Sequence, residues 1–220
     1  MSRLRIAAAV LSLIASSLLT GCVTPASYDY SAFQQSRPRS ILVLPPVNNS
    51  NAVEASYSVL SQLTLPLAES GYYVIPVTLM DETFRQNGLS NPADVAAVST
   101  VKLHEIFGAD SALYITIKKY GTVYHVIASE SVVAADARLV DLRSGALLWE
   151  GTATASSAEN QNAAQGGLVG LLVTAVINQI VEHSTDASHN VAAVTGSRLL
   201  TAGRPAGMLY GPRSPSYQKE

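Results

Sequence analysis

The sequence predicts an α/β domain built on one mixed sheet, with helices packed on its faces. Over residues 40–108, short apolar runs alternate with helical patterns, which is typical of parallel β-α-β units with right-handed crossovers. Over residues 111–155, apolar and polar residues alternate and the connections are short, which favours antiparallel pairing. We therefore expect a sheet with a parallel start and an antiparallel meander later.

Two strands and a helix open the domain. Residues 40–47 and 72–77 are apolar runs bounded by turn residues and too short for helices, so they predict buried strands. Residues 53–71 carry apolar side chains near helical spacing. Gly71 is expected to end this helix, and Pro66 to kink or split it.

Three shorter helices are predicted next. Thr78 and Asp81 have the spacing of a capping box, which places the start of the first helix at Thr78. Gly108 is expected to end the last of the three. The residues expected to begin or cap these helices are Thr78, Asn91 before Pro92, and Ser99 or Thr100.

Four antiparallel strands are predicted in the second half. They cover residues 111–120, 122–128, 131–141 and 146–155. Gly121 is expected to turn the chain between the first two, and the segment Arg143-Ser144-Gly145 to form a hairpin turn before the last. Helices are then expected over residues 166–182 and 188–202.

The N-terminus has the layout of a secretory signal. Residues 1–5 carry two arginines, and an apolar run of about 14 residues follows, shorter than the roughly 20 that a transmembrane helix needs. The run ends in Leu-Thr-Gly-Cys, which resembles the lipobox of bacterial lipoproteins. The resemblance implies cleavage before Cys22, a diacylglycerol on its thiol and a fatty acid on its amine. Because Val23 follows instead of aspartate, the resemblance also favours the outer membrane.

The predicted organisation has four parts. Residues 1–21 form the signal, 22–39 the lipidated cysteine and a tether, 40–202 a periplasmic α/β domain, and 203–220 an extended tail. One acyl chain holds a protein only marginally, whereas two or three hold it firmly. The tail is expected to be disordered or to dock through Tyr210 and Tyr217, because aromatic residues dominate binding hot spots.

The charge and the motifs argue against nucleic-acid binding, metal binding and catalysis. The net charge of −2 and the scattered charges give no footprint for nucleic acid, and a single cysteine excludes a disulfide framework. None of the histidines lies in a metal-binding motif, and no Gly-x-Ser-x-Gly is present. We therefore expect no catalytic residue, no cofactor, no metal and no enzyme. The histidines are His104, His125, His183 and His189.

Residues 168–181 form the most apolar predicted helix. It is apolar nearly all round and must be buried, but its rise of about 21 Å is too short for a bilayer core of roughly 30 Å. It is expected to lie in the core of its own domain, in a subunit interface, or in the membrane after assembly. The candidate interface residues are Leu168, Leu171, Leu172, Ile177, Tyr210 and Tyr217.

Two segments resemble a known family. PLAESGYYVIPVTLMDETFRQNGL at residues 66–89 and IFGADSALYITIKKYG at residues 106–121 resemble the GNA-type bacterial lipoproteins of unknown function. More coarsely, ILVLPPVNNS and LVDLRSGALLWEGTA are similar to the TolB N-terminal domain and to CsgG-like lipoproteins. The resemblance implies a periplasmic binding or assembly module, often oligomeric. It brings no catalytic residues.

The expected function follows from the N-terminal lipoprotein signal and from the family resemblance. We expect an outer-membrane lipoprotein whose domain faces the periplasm and binds other envelope proteins, and itself, within a multiprotein envelope or transport complex. One alternative is an oligomeric CsgG-like subunit of a secretion channel. Another is an envelope hydrolase, which would require a histidine beside a serine or a carboxylate pair in a cleft.

Overall fold

The computed structural model describes residues 28–124, 129–159 and 187–219. The signal, Cys22 and the apolar segment 168–181 lie outside the described residues, as do His125 and His183.

One mixed sheet organises the described chain. Its strands follow the order β3-β1-β4-β5-β6, and β2 pairs with β4 further along that strand than β1 does. β1 pairs in parallel with β3 and β4, whereas β4, β5 and β6 are antiparallel, so the predicted mixed α/β sheet is confirmed. The strands are β1 Ser40–Val43, β2 Val47–Asn48, β3 Tyr73–Val74, β4 Ser111–Tyr124, β5 Ser129–Asp141 and β6 Leu147–Ser156.

Helices flank this sheet. The helices are α1 Ser31–Ser36, α2 Ala55–Glu69, α3 Val77–Gln86, α4 Pro92–Ala96, α5 Thr100–Phe107 and α6 Ala187–Leu200. Two of the predicted caps are confirmed: Asn91 accepts a hydrogen bond from the N–H of Ala93 at 2.9 Å, and Ser99 from that of Lys102 at 3.3 Å. Gly108 ends α5 at a φ of 63°.

Three local predictions are wrong. β4 continues through Gly121 to Tyr124, because its ladder with β5 is unbroken there and glycine tolerates the φ of 123°. α2 is not split at Pro66, since it continues through this residue to Glu69. α3 begins at Val77 without a side-chain cap, so Thr78 does not begin it.

The core lies between the sheet and the packed pair α2 and α6. Along β5, side chains alternate between buried and half-exposed, as the period of a strand requires. The buried set faces α6, whose Thr195 hydroxyl donates to the carbonyl of Val133 at 3.2 Å. Trp149 of β6 is 2% exposed and completes this layer.

The segment before β1 is packed rather than free. The Tyr28 hydroxyl accepts from the N–H of Glu150 at 2.9 Å, and the Tyr30 hydroxyl donates to the carbonyl of Gly207 at 2.5 Å. Phe33 of α1 is 3% exposed. The chain expected to be a tether up to residue 39 therefore joins the domain from residue 28 onward.

The C-terminal tail, residues 203–219, also packs on the domain. The N–H of Gly211 donates to the carbonyl of Ser70 at 2.8 Å, and that of Arg213 to the carbonyl of Gly71 at 3.0 Å. These bonds fasten the tail beside the start of β3.

Side chains hold the tail as well. Trp149 Nε1 donates to the carbonyl of Ala206 at 3.0 Å, and the Tyr72 hydroxyl to that of Leu209 at 2.6 Å. Met208 is 1% exposed. Since the tail contacts both edges of the core layer, we treat it as an integral part of the domain.

Gly71→Ala tests how the tail is held. Gly71 has a φ of 96°, and a Cβ there would lie 2.4 Å from the Ser214 nitrogen. We expect a loss of about 2–4 kcal/mol in the free energy of unfolding, from backbone strain and overpacking together. Denaturant unfolding measures it, and trypsin should cut faster after Arg213.

Gly88→Ala is the matched control. Gly88 has a φ of 77° but no heavy atom within 4 Å of the added Cβ, so it carries the backbone strain alone. An equal loss in both variants, with unchanged cleavage of the tail, would show that close contact at Gly71 does not hold the tail.

Candidate functional site

One face of the β4–β6 half of the sheet is not covered by any described helix. Its side chains form two cross-strand rows, one led by Tyr114 and one by Thr116 of β4. They are half-exposed or exposed, although β4 and β5 are inner strands of the sheet. We call this surface the open face; its residues are Tyr114, Thr116, Asp136, Arg138, Glu150 and Thr152.

A hollow of about 320 Å³ lies at the border of the open face. Leu44, Pro45 and Val47 line one wall, and Tyr114 and Arg138 another. Its size falls in the range of ligand pockets, about 300–1,000 Å³. One side is therefore apolar and the other polar, which suits an apolar side chain flanked by polar groups.

Charges on the open face are paired. Lys118 Nζ lies 2.9 Å from Asp136 Oδ2, and Arg138 is directly opposite Glu150 across the strands. The Arg138 guanidinium carbon is 5.9 Å from the Tyr114 ring centroid. Burial raises the pKa of Tyr114 although Arg138 opposes it, so the hydroxyl stays protonated and can donate.

Exposed arginines gather at the end of the sheet where β1, β3 and β4 begin. Arg39 stands just before β1, and its N–H donates to Asp110 Oδ2 at 2.9 Å. Arg143 follows β5 and pairs with the other Asp110 oxygen. We call this surface the arginine end; its residues are Arg37, Arg39, Arg143 and Arg213.

Two buried carboxylates lie beneath these arginines. Burial raises the pKa of Asp110, but the Arg39 N–H, the Arg143 charge and the Ser40 hydroxyl outweigh it and lower the pKa overall. Burial likewise raises the pKa of Asp141, but hydrogen bonds from the Ser36 hydroxyl, from the N–H and hydroxyl of Ser144 and from the Arg143 N–H outweigh it and lower the pKa overall.

The tail pocket is a hollow of about 280 Å³ between α1 and the tail. Tyr210 and Tyr217, the predicted aromatic anchors, both line it beside Phe33 and Tyr72. The structure thus brings these two tyrosines together against their own domain. The other candidate interface residues, Leu168, Leu171, Leu172 and Ile177, lie outside the described residues.

A serine and a histidine meet between α2 and α6, as a hydrolase would require. Ser58 Oγ is 2.8 Å from His189 Nδ1 and 2.7 Å from the Tyr120 hydroxyl. The other ring nitrogen, Nε2, faces the Gln62 amide at 2.7 Å instead of a carboxylate. Since the Ser58 N–H is used within α2, it offers no oxyanion hole. This geometry favours a polar link between helices over a nucleophile.

His104 lies in the last turn of α5. His104 Nδ1 donates to the carbonyl of Ala109 at 2.7 Å, which closes the end of α5. Within residues 28–124, 129–159 and 187–219, no three metal-ligating side chains lie together. Nor does any helix in the described part of the chain have the length and apolar character to cross a bilayer.

Sequence reasoning missed the arginine end and the open face. Asp110 was visible only as the end of a Gly-Ala-Asp turn, and its partners Arg39 and Arg143 are remote along the chain. For the open face, the alternation of Asp136 and Arg138 with buried neighbours was a usable signal.

Asp110→Asn should change the response to acid. A carboxylate with a lowered pKa stabilises the fold above its unfolded pKa of about 3.9, and this stability is lost as pH falls through the folded value. The variant should lose about 1–3 kcal/mol at pH 7 and show a shallower decline below pH 4. Urea unfolding at several pH values measures both.

The control for this variant is Asp94→Asn, whose side chain is exposed. It should shift the free energy of unfolding at pH 7 by less than about 0.5 kcal/mol. An Asp110→Asn variant with wild-type stability at pH 7 and an unchanged acid profile would contradict the role given to Asp110.

Known lipoproteins are similar to this chain along most of its length. Lipoprotein NMB1124/NMB1162 of Neisseria meningitidis serogroup B is 45% identical over 206 residues, covering 93% of this chain and 95% of that protein. The crystal structure of lipoprotein GNA1162 from Neisseria meningitidis is 48% identical with a TM-score of 0.53, covering 66% of this chain and 99% of that one.

A PelC dodecamer from Paraburkholderia phytofirmans is 16% identical with a TM-score of 0.45, covering 78% of this chain and 91% of that one, which is too distant to inform function. The profile of the GNA1162-like lipoproteins matches residues 28–213. The resemblance to GNA-type lipoproteins is thereby confirmed, whereas the similarity to TolB and CsgG stays a prediction. This chain belongs to the GNA1162-like lipoprotein family.

Proposed function

We propose that this protein is a lipid-anchored envelope protein whose domain binds other envelope proteins, and further copies of itself, in the periplasm. It acts by docking and assembly, not as an enzyme. The observation that carries the proposal is the open face, a surface across β4, β5 and β6 whose side chains are left half-exposed or exposed. Membership of a lipoprotein family supports the anchor.

Cys22 is the proposed point of attachment. It follows Leu-Thr-Gly and precedes the first packed residue, Tyr28, by six positions. Two or three acyl chains at Cys22 would hold the domain at the membrane essentially permanently. Val23 in place of aspartate supports the outer membrane. Confinement to one surface raises the effective concentration of the domain for partners in the same envelope.

The open face is suited to a protein partner. Tyrosine and arginine dominate binding hot spots, and Tyr114 and Arg138 stand side by side beside the hollow. The partner we propose inserts one apolar side chain into the hollow and places polar groups over Arg138 and Glu150. Its charges are balanced, as are those of the open face itself.

Cys22→Ala tests the anchor. The variant cannot form the thioether, so we expect loss of fatty-acid incorporation in cells and loss of the protein from the outer-membrane fraction. Ser27→Ala, five positions later, should incorporate fatty acid and fractionate as the wild type does. Metabolic labelling and density fractionation measure this. Continued labelling and outer-membrane fractionation of Cys22→Ala would refute the anchor.

Site-specific photo-crosslinking in cells tests the open face. A photoreactive residue at Thr152 should give discrete adducts with envelope proteins, whereas one at Ser61, exposed on α2, should not. Arg138→Ala should reduce the adduct yield about tenfold, the effect of losing a modest hot spot. Identical adducts at Thr152 and Ser61, or a yield indifferent to Arg138, would count against docking at this face.

A further inference from the structure

We propose that the arginine end docks on an anionic lipid surface, so that the sheet stands end-on to the membrane. This inference rests on the proposed lipid anchor and specifies which part of the domain meets the bilayer. The partner is the layer of phosphate-bearing lipid headgroups.

Four exposed guanidinium groups lie at this end. The side chains of Arg39 and Arg143 are 78% and 58% exposed, and Arg37 and Arg213 are exposed as well. Asp110 and Asp141 beneath them are each 7% exposed and fully engaged in hydrogen bonds. The surface therefore presents guanidinium groups outward, although the chain after residue 21 has 12 basic and 16 acidic residues.

Two of the four arginines, Arg39 and Arg143, share one end of the sheet because of the strand topology. β1 and β4 are parallel and paired from Ile41 and Ser111, so Arg39 and Asp110 lie just before both strands. Arg143 lies just after β5, whose last residue pairs with Ser111.

The remaining two arginines reach the same end by packing. Arg213 lies 5.1 Å above the centre of the Tyr73 ring, at the start of β3. Arg37 directly follows α1, whose Ser36 hydroxyl donates to Asp141 at 2.5 Å.

The anchor point lies near this end. Tyr28 is hydrogen-bonded to Glu150, three residues from the first residue of β6, or about 10 Å along the strand. The six peptide steps from Cys22 to Tyr28 span at most about 20 Å. A lipidated Cys22 therefore holds the arginine end within reach of the headgroups.

The opposite end of the sheet cannot meet the membrane surface while Cys22 is anchored in it. β4 has 14 residues and extends about 45 Å. In an end-on pose, its far end therefore lies well beyond the distance that the six peptide steps from Cys22 to Tyr28 can span. Guanidinium groups bind phosphate oxygens in pairs and are weakly hydrated, which favours them at a phosphate surface. Both distance and charge therefore select the arginine end.

The experiment measures orientation in vesicles. Cys22 is the only cysteine, so once it is lipidated an introduced cysteine is a unique labelling site. We place a donor dye at Gln35→Cys on α1 or at Thr122→Cys near the far tip of β4, both exposed. The lipidated full chain is reconstituted in phosphatidylcholine vesicles, with or without phosphatidylglycerol, that carry a headgroup-linked acceptor.

We expect stronger energy transfer from residue 35 than from residue 122, and a difference that grows with phosphatidylglycerol. In Arg37→Gln with Arg213→Gln, the docking equilibrium should fall about fivefold for each arginine removed. Neither arginine forms an ion pair with a described carboxylate, so the fold should be retained, as circular dichroism would verify. Lys119→Gln, compared with Arg213→Gln alone, removes the same charge from an exposed site on β4 and should leave transfer from residue 35 unchanged.

Three results would contradict docking of the arginine end on the lipid surface. Equal transfer from both positions on anionic vesicles would indicate a side-on pose and overturn the docking surface. Equal effects of Arg213→Gln and Lys119→Gln would do the same, because the response would then follow the total charge of the chain and not the arginine end. Mass spectrometry that finds Cys22 without lipid would overturn the anchor itself, which separates failure of the proposed function from failure of this inference.

Discussion

The buried carboxylate of Asp110 joins three remote parts of the chain. It accepts hydrogen bonds from the N–H groups of Arg39 and Ser40 at the start of β1, and it pairs with Arg143 after β5. A buried charge is tolerated only when it is compensated, so these partners must be in place for the sheet to close. The parallel register of β1 with β4, and hence the position of both proposed surfaces, depends on this group.

Local chemistry explains where sequence reasoning succeeded. The caps at Asn91 and Ser99 and the end of α5 at Gly108 are decided within a few residues, and each is readable from the chain itself. The turn proposed at Gly121 failed because a strand continues wherever its neighbour offers a ladder, and that neighbour, β5, is not a local property. Segment type was therefore predictable, and segment length was not.

Remote contacts explain what could not be predicted. Residues 28–39 have the composition of a spacer, yet Tyr28 and Tyr30 bind backbone groups more than 120 positions away. The alternation of apolar and polar residues along β5 predicts a sheet with one apolar and one polar face. Whether the polar face is covered depends on where the helices pack. Ser58 and His189 show the converse, since a catalytic-looking pair can arise from the packing of two helices.

The first and last described segments, residues 28–39 and 203–219, pack against each other. Gln218 lies beside Phe33 and Arg37, and Tyr30 is bonded to Gly207. A purification tag or fluorescent protein appended after residue 220 would therefore be placed beside α1 and the segment that leads to the proposed anchor, and would crowd both. Reporters for this family are better attached at the exposed Thr122, near the far end of β4.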